Sequence, residues 1–365
     1  MKMETIIKKI DSVSPKADDF TEAVRILKNG GLVAFPTETV YGLGGNAYDS
    51  TASKRIYAAK GRPSNNPLIV HISEFKEIYP LVKSVPEKAV KLAKKFWPGP
   101  LTMILEKSDS IPKETTGGLD TVAVRMPSHP VANRLIKEVG IPIAAPSANA
   151  SGRPSTTKAE HVIEDLNGKI DMIIDGGSSD IGLESTIVDL TVTPPLILRP
   201  GYITLEDLRD VLPDIEYDKA VLKRQKDDTV IAKAPGMKYR HYAPKGELTI
   251  YEGKAQAVAL AVKKKAEEKL KEGYKVGILT SDELSKEYSE LKNSTGDTSS
   301  ERLVIIDIGS RSDEAGIAAG LFDALRSFDK HGAEFIYAES FESEKIGQAI
   351  MNRLMKAAGY HIENV

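Results

Sequence analysis

The run Leu32-Val33-Ala34-Phe35-Pro36-Thr37-Glu38-Thr39-Val40-Tyr41-Gly42-Leu43-Gly44 joins an apolar strand directly to a polar segment that is not helical. The same pairing of strand and donor-rich loop recurs further along the chain. It recurs at residues 60–71, 121–127, 141–155, 183–190 and 196–201. Loops at strand ends are where α/β proteins usually build their sites. The recurrence therefore predicts an α/β fold and a polar site formed by several of these loops.

Helical patterns are few in this part of the chain. Residues 20–27 and 86–96 carry apolar residues at helical spacing, and Gly- and Pro-containing turns follow both segments. The other apolar runs are short, at residues 101–105, 122–124, 141–145, 172–174 and 187–190. Many short strands with few long helices predict a mixed, twisted sheet with helices packed on it.

After residue 246 the pattern becomes a regular alternation of strand and helix. The apolar runs at residues 248–251, 276–279, 304–306 and 335–337 are each followed by a helical segment. This spacing predicts a small Rossmann-like parallel sheet with helices on both faces. Its first strand is not followed by Gly-x-Gly-x-x-Gly, so no motif supports dinucleotide binding.

Composition suggests how the chain is divided. Charged residues dominate residues 218–228, and the stretch Pro235-Gly236-Met237-Lys238-Tyr239-Arg240-His241-Tyr242-Ala243-Pro244 is rich in rings and cations. We therefore predict a first domain over residues 1–212, a linker over 213–245 and a second domain over 246–365. Passive linkers are usually Gly/Ser-rich or uniformly charged, so this linker is predicted to close over a ligand as a lid. The alternative is a segment that only docks the two domains.

The overall composition is that of an ordinary soluble globular protein. Hydrophobic residues make up 41% of the 365 residues and charged residues 28%, the formal net charge is −2, and cysteine is absent. Disulfides and cysteine-ligated metals are thereby excluded. The sequence lacks a signal-peptide pattern and a long apolar run, which predicts a cytoplasmic protein without membrane contact. The charge balance does not favour stable RNA binding, although transient contact with RNA is compatible with it.

Two short signatures carry the predicted chemistry. In Lys60-Gly61-Arg62, two cations one residue apart suit a polyphosphate. In Ser147-Ala148-Asn149, a hydroxyl and an amide supply neutral donors just after the apolar run 141–146. Taken alone, the first could be a surface turn and the second simple loop chemistry.

Together these segments resemble the YrdC-type threonylcarbamoyl-adenylate synthase family, in its long form with an added C-terminal domain. The similarity extends over nearly the whole chain and rests on the segment 35–44, the Lys-x-Arg and Ser-x-Asn signatures and the segment 235–244. It implies a nucleotidyltransferase that makes threonylcarbamoyl-AMP from L-threonine, bicarbonate and ATP with release of pyrophosphate. The product would serve the tRNA threonylcarbamoyl transferase machinery that forms N6-threonylcarbamoyladenosine 37 in tRNAs reading ANN codons.

The resemblance also implies roles for individual residues. Lys60, Arg62, Ser147 and Asn149 would be catalytic, because adenylyl transfer needs mainly positioning and charge stabilisation. The ATP contacts implied by the family are Lys60, Arg62, Asn66, Thr121, Ser147, Asn149, Ser155, Arg199, Tyr239 and His241. Of these, Arg199 could equally be a surface arginine that ends a strand.

The implied L-threonine contacts are Thr39, His71, Arg125, Ala145 and Ser185. A guanidinium at the end of an apolar strand is costly unless it meets a carboxylate, and threonine has one. The alternative partner of Arg125 is a protein carboxylate such as Asp120 or Asp189, and Glu38 is a candidate supporting carboxylate. His71 could instead be a core histidine.

No histidine spacing predicts a transition-metal site, so the expected metal is Mg²⁺ that arrives with ATP, without ligands from protein side chains. The sequence leaves two other function classes as alternatives. One is an RNA-binding module, which the charge balance opposes. The other is the carbamoyl-transfer domain of hydrogenase maturation proteins, whose cysteine-rich zinc motifs are absent from this cysteine-free sequence.

Overall fold

A computed structural model describes residues 4–222, 233, 235, 241–294, 301–342 and 344–365. The described residues form two compact units. The first holds residues 4–151, 155–222, 233 and 235; the second holds residues 152–154 and the described residues from 241 onward. The domain boundaries at residues 212 and 245 stay a prediction.

The first unit is built on one long mixed sheet. Its order, within the described residues, is β1-β8-β2-β3-β7-β4-β6-β5-β9-β10-β11. Parallel pairs such as β4–β6 and β5–β9 stand beside antiparallel pairs such as β4–β7 and β5–β6, which confirms the predicted mixed sheet. The strands are β1 (Ile6–Lys9), β2 (Val33–Phe35), β3 (Gly42–Asn46), β4 (Ile69–His71), β5 (Leu101–Glu106), β6 (Thr121–Arg125), β7 (Ile143–Ala145), β8 (Met172–Asp175), β9 (Thr186–Asp189), β10 (Leu196–Arg199) and β11 (Glu216–Tyr217).

The helices of this unit begin and end at sequence signals. The helix α2 is capped at its start by the Asp49 carboxylate, which accepts the Thr51 N–H at 2.8 Å, and it stops at Gly61 in the left-handed conformation. The helices are α1 (Thr21–Lys28), α2 (Ser50–Lys60), α3 (Glu87–Phe96), α4 (Pro130–Val139), α5 (Ala159–Leu166), α6 (Leu205–Arg209) and α7 (Lys219–Leu222), with 3₁₀ turns at Ala17–Phe20 and Phe75–Leu81.

The strand β6 is buried on both of its faces. Residues 122–125 are all buried. Val122 and Val124 pack into the large core of the unit, while Ala123 belongs to a second, smaller cluster on the other face. Side chains along a strand alternate between faces, so Arg125 points to the same side as Ala123. We call this small cluster the apolar floor; it consists of Ile69, Ile104, Ala123, Ile187 and Leu198.

The second unit has a five-stranded sheet in its described residues, and all its pairs are parallel. The order is β14-β13-β15-β12-β16, and α8 packs with α9 while α10 packs with α11, as expected when right-handed crossovers place the two pairs on opposite faces. This confirms the predicted Rossmann-like sheet. Its elements are β12 (Glu247–Glu252), α8 (Ala255–Lys271), β13 (Val276–Thr280), α9 (Asp282–Ser294), β14 (Leu303–Asp307), α10 (Glu314–His331), β15 (Phe335–Glu339), α11 (Lys345–Ala357) and β16 (Ile362–Asn364).

The segment predicted as a linker begins with ordered structure. The strand β11 pairs with β10, and Ile215 is fully buried in the large core. Most of the remaining predicted linker, including Tyr239, lies outside the described residues. Across the parts of the chain that the structure describes, no helix has the length and apolar character needed to span a bilayer.

Candidate functional site

Strand direction brings the two sequence signatures together. Residues 60–68 lead into β4 and residues 146–149 follow β7, and because β4 and β7 are antiparallel both loops lie at the same end of the pair. Lys60, the last residue of α2, is buried, and its Nζ donates to the backbone carbonyl oxygens of Ser147 and Asn149. The structure therefore joins the Lys-x-Arg and Ser-x-Asn segments into one cluster.

Arg62 follows the left-handed turn at Gly61 and is also buried. Its Nε donates to the carbonyl of Asn66 at 3.2 Å and its Nη2 to the carbonyl of Pro67 at 3.1 Å. The guanidinium thus closes the loop 62–67 on itself. The Asn66 side chain is buried as well, and its Oδ1 has no hydrogen-bond partner among the described residues.

The loop after β7 is fixed by its own polar groups. The Ser147 hydroxyl donates to Asn149 Oδ1 at 2.5 Å, and Asn149 Nδ2 donates to the carbonyl of Ala150 at 2.9 Å. The backbone N–H of Ala148 donates to the carbonyl of Tyr41 at 2.8 Å, which attaches this loop to the segment before β3. These bonds hold the Ser147 and Asn149 side chains beside Lys60.

A second polar cluster lies at the other end of β4, where β4 pairs with β6. His71 ends β4, Arg125 ends β6, and the two residues are in register across the parallel pair. Arg125 Nη1 donates to Thr39 Oγ1 at 2.8 Å and its Nε donates to the carbonyl of Gly99 at 3.3 Å. His71 Nδ1 lies 3.0 Å from the carbonyl oxygen of Ile69, which can only accept, so this nitrogen carries a proton.

The partner of Arg125 is Glu38, and not Asp120 or Asp189 as the sequence alternatives proposed. Glu38 Oε1 lies 2.7 Å from Arg125 Nη2, with both side chains buried. The contact is a buried ion pair. Asp189 instead lies 3.1 Å from Lys233 Nζ.

Burial and this ion pair set the charges of the cluster. Burial, the largest single contribution, pushes the pKa of Glu38 upward, but the Arg125 guanidinium and backbone N–H groups together more than offset this, so the pKa of the carboxyl lies below its ordinary value. Burial, with a smaller contribution from the positive charge of Arg125, lowers the pKa of His71 to about 3. At neutral pH the cluster therefore contains an ionised Glu38 and an uncharged His71.

Ser185 joins this end of the site through two side chains. Its Oγ lies 2.7 Å from Thr102 Oγ1 and accepts a hydrogen bond from Arg199 Nη2 at 3.1 Å. Arg199 Nε also donates to the Ser185 carbonyl at 3.0 Å, so Arg199 is a buried site residue and not a surface arginine. The sequence analysis missed Thr102; the available signal was a single hydroxyl in the apolar run 101–105.

The remaining predicted contacts occupy different positions. Thr121 is the first residue of β6, at the same end as the Lys60 loop, and Ala145 lies opposite Ile69 on β7. The Ser155 hydroxyl donates to Glu184 Oε1 at 2.5 Å. His241 lies in the second unit, where its ring is 5.5 Å from that of Tyr242, and Tyr239 lies outside the described residues.

The two polar clusters lie on one sheet with the apolar floor between them. The strand β4 has three residues, so its ends are about 7 Å apart at the usual rise per residue. One end presents Lys60, Arg62, Ser147 and Asn149; the other presents His71, Arg125 and Ser185. These residues are therefore candidates for a site with a cationic end, an apolar middle and an end suited to a small zwitterion.

Comparison with known proteins identifies the family of the chain. Residues 25–201 match the family described as "Telomere recombination", and residues 203–359 match the family described as "Threonylcarbamoyl-AMP synthase, C-terminal domain". The chain is 49% identical to a Threonylcarbamoyl-AMP synthase of Pyrococcus abyssi, over 94% of this chain and 95% of that protein. It is 48% identical to one of Bacillus subtilis, over 96% of this chain and 95% of that protein.

A solved structure shares the whole fold. The crystal structure of P. abyssi Sua5 complexed with L-threonine superposes with a TM-score of 0.89 at 46% identity, covering 99% of this chain and 100% of that one. The chain therefore belongs to the threonylcarbamoyl-AMP synthase family, in the form that carries the additional C-terminal domain.

Proposed function

We propose that this chain forms threonylcarbamoyl-AMP from L-threonine, bicarbonate or CO2, and ATP. The amine nitrogen of threonine bonds to the carbon of CO2 and loses a proton, which gives a carbamate. A carbamate oxygen then bonds to the α-phosphorus of ATP, the bond between that phosphorus and the oxygen bridging to the β-phosphate breaks, and pyrophosphate leaves. The observation that carries the proposal is the placement of a buried cationic cluster and a buried, partly neutral cluster at the two ends of one short strand pair.

The cluster around Arg125 is the proposed amino-acid end. Arg125 takes the substrate carboxylate, a geometry for which the planar guanidinium is suited. The uncharged His71 and the hydroxyls of Thr39 and Ser185 then surround the remainder of the amino acid. The backbone of Ala145, opposite Ile69 at the Lys60 end of β4, is proposed to contact the amino acid from that side. A neutral imidazole offers hydrogen bonding to the threonine hydroxyl without adding a second positive charge.

The cluster around Lys60 is the proposed nucleotide end. Lys60, Arg62, Ser147 and Asn149 are assigned to stabilising the charge that develops on the phosphates during transfer. Further nucleotide contacts are proposed for Asn66, Thr121 and Ser155, and for Arg199, which lies beside Ser185 at the amino-acid end. The unpartnered Asn66 Oδ1 is a buried acceptor, which suits an N–H donor such as the exocyclic amine of adenine.

Several finer assignments rest on the family alone. Mg²⁺ is expected to enter with ATP, held by phosphate oxygens and water; among the described side chains no group of three or more His, Cys, Asp or Glu residues is placed to hold an ion. The product is proposed to pass to the tRNA threonylcarbamoyl transferase machinery in the cytoplasm, with at most transient contact between this chain and tRNA. Residues 235–244, with Tyr239 and His241, are proposed to cover the nucleotide as a lid.

The test is an amino-acid panel. The protein is mixed with ATP, bicarbonate and each amino acid in turn, and pyrophosphate release is followed. Release should require threonine, ATP and bicarbonate together, with serine the strongest competitor because it lacks only one methyl group, a difference of about 1–3 kcal/mol. Bicarbonate-free samples and the Arg125→Ala variant are the controls. Pyrophosphate release that is independent of the amino acid would reject the proposal.

A further inference from the structure

Thr102 is a buried hydroxyl that the proposed mechanism does not use. It is the second residue of β5, lies in register with Arg125 on β6, and has no solvent exposure. Burying a hydroxyl without a hydrogen bond is costly, so a threonine inside an otherwise apolar strand requires a partner. That partner is Ser185, whose Oγ is 2.7 Å from Thr102 Oγ1.

The Ser185 hydroxyl has limited hydrogen-bonding capacity. It has one proton to donate and two lone pairs to accept with. Arg199 Nη2 can only donate and uses one lone pair at 3.1 Å, and Thr102 uses either the second lone pair or the proton. In both cases one hydrogen-bonding position of the Ser185 hydroxyl, either its proton or one lone pair, remains for a ligand. Thr102 and Arg199 together fix the direction of that position.

We propose that Thr102 is a positioning residue that orients the Ser185 hydroxyl toward the amino acid and, through Ser185, couples amino-acid binding to nucleotide binding at Arg199. The inference rests on the proposed function, which assigns Ser185 to the amino acid and Arg199 to the nucleotide. The donated bond from Arg199 is charge-assisted and polarises the Ser185 hydroxyl, so a nucleotide that contacts the already buried Arg199 changes the strength of the bond between Ser185 and the amino acid. Such coupling is reciprocal, so the amino acid must raise nucleotide affinity by the same factor.

A purely structural role for Thr102 makes different predictions. The strands β5 and β9 are neighbours, and a hydroxyl pair between Thr102 and Ser185 could simply join them. In that case loss of the Thr102 hydroxyl would lower stability and leave the dependence of threonine affinity on nucleotide unchanged. The proposed relay, from Thr102 through Ser185 to the amino acid, instead predicts that this dependence is lost.

The experiment compares three variants of the full chain by calorimetry. Thr102→Val removes the hydroxyl and keeps the shape, Thr102→Ser keeps the hydroxyl, and Thr5→Val is a matched control. Thr5 is also buried, and its hydroxyl donates to the carbonyl of Ile170 at 2.7 Å beside the edge strand β1. L-Threonine binding is measured with and without a non-hydrolysable ATP analogue, and thermal melting is recorded for each variant.

Thr102→Val should weaken threonine binding about three- to tenfold in the presence of the analogue, the range expected for one hydrogen bond, and should abolish most of the affinity gain that the analogue produces. Thr102→Ser should restore both quantities, and Thr5→Val should change only the melting temperature. Equal behaviour of Thr102→Val and Thr5→Val, or a wild-type threonine affinity that is independent of the analogue, would overturn the relay. A wild-type protein that binds no threonine at all would instead reject the proposed function.

Discussion

Glu38 and Arg125 form a buried ion pair in which Oε1 and Nη2 lie 2.7 Å apart. Arg125 also donates to Thr39 and to the carbonyl of Gly99, so the guanidinium is held from three directions. The ionised carboxylate of Glu38 lowers the cost of burying the guanidinium. The protein can therefore hold Arg125 buried at the end of β6 before any substrate arrives. A substrate carboxylate would therefore meet a preformed and already oriented guanidinium.

The first prediction concerns this pair. Arg125→Ala should lose L-threonine affinity more than ATP affinity, and it should also lower stability by about 3–5 kcal/mol because Glu38 is left buried without its counter-ion. The double variant Glu38→Gln/Arg125→Ala should regain part of that stability without regaining threonine binding. Calorimetry and urea unfolding measure the two effects. A double variant no more stable than Arg125→Ala would contradict the ion-pair account.

The second prediction concerns the cationic cluster. Lys60→Ala or Arg62→Ala should slow pyrophosphate release about a hundredfold, equivalent to about 3 kcal/mol of transition-state stabilisation. Both cations also hold loop carbonyls, so each variant should melt at a lower temperature than the wild type. Turnover is therefore measured below the melting transition, with Thr5→Val as a control for a loss of stability alone. Normal pyrophosphate release by Lys60→Ala would remove this assignment.

The third prediction concerns pH. The pKa of His71 is about 3 in the folded state, compared with about 6.5 in an unfolded chain, so between these values the unfolded state binds a proton that the folded state does not. The contribution of His71 to the free energy of unfolding should therefore fall by about 1.4 kcal/mol per pH unit as the pH is lowered below 6.5. His71→Gln removes this term. Urea unfolding of both proteins at pH 7.5, 6.5, 5.5 and 4.5 checks it, since a pH-independent difference between them would place His71 in a solvated environment.

The fourth prediction concerns the proposed lid. Truncation after Asp210 would remove Ile215 from the core, so the shortened protein should end after Leu222, where β11 and α7 are complete. If residues 235–244 cover the nucleotide, this protein should bind ATP more weakly and release or hydrolyse the adenylate faster than the full chain. Product lifetime is followed by chromatography, after circular dichroism has established that residues 1–222 fold. An unchanged product lifetime would leave the segment with a docking role only.

Much of the local structure could be read from the sequence. The helices α1 and α3 end where the Gly- and Pro-containing turns indicate, and α6 begins after Thr204, a typical N-cap residue whose hydroxyl accepts the Asp207 N–H at 3.2 Å. Such signals act within a few residues, so they need no tertiary context. The family could likewise be recognised from the sequence, since each of its signatures is a short run of residue types.

The hydrogen-bond and ion-pair partners of buried polar groups could not be predicted from the sequence in the same way. Arg125 meets Glu38, which is 87 positions away, and not the nearby Asp120. Thr102 meets Ser185, a pair separated by 83 positions. Pairs of this kind depend on which strands become neighbours in the sheet. The alternation of side chains along a strand, with its period of two residues, does not specify which strand that neighbour is.

The sequence by itself determined the kinds of element, the residue types of the site and the loops that carry them. Only the tertiary structure decided which loops meet: β4 and β7 are antiparallel, which brings Lys60 to Ser147 and Asn149, and β4 and β6 are parallel, which brings His71 beside Arg125. Strand direction and register are set by long-range packing and hydrogen bonding between strands. The separation of the site into a cationic end and an amino-acid end is therefore a property of the folded sheet and not of any one segment of the chain.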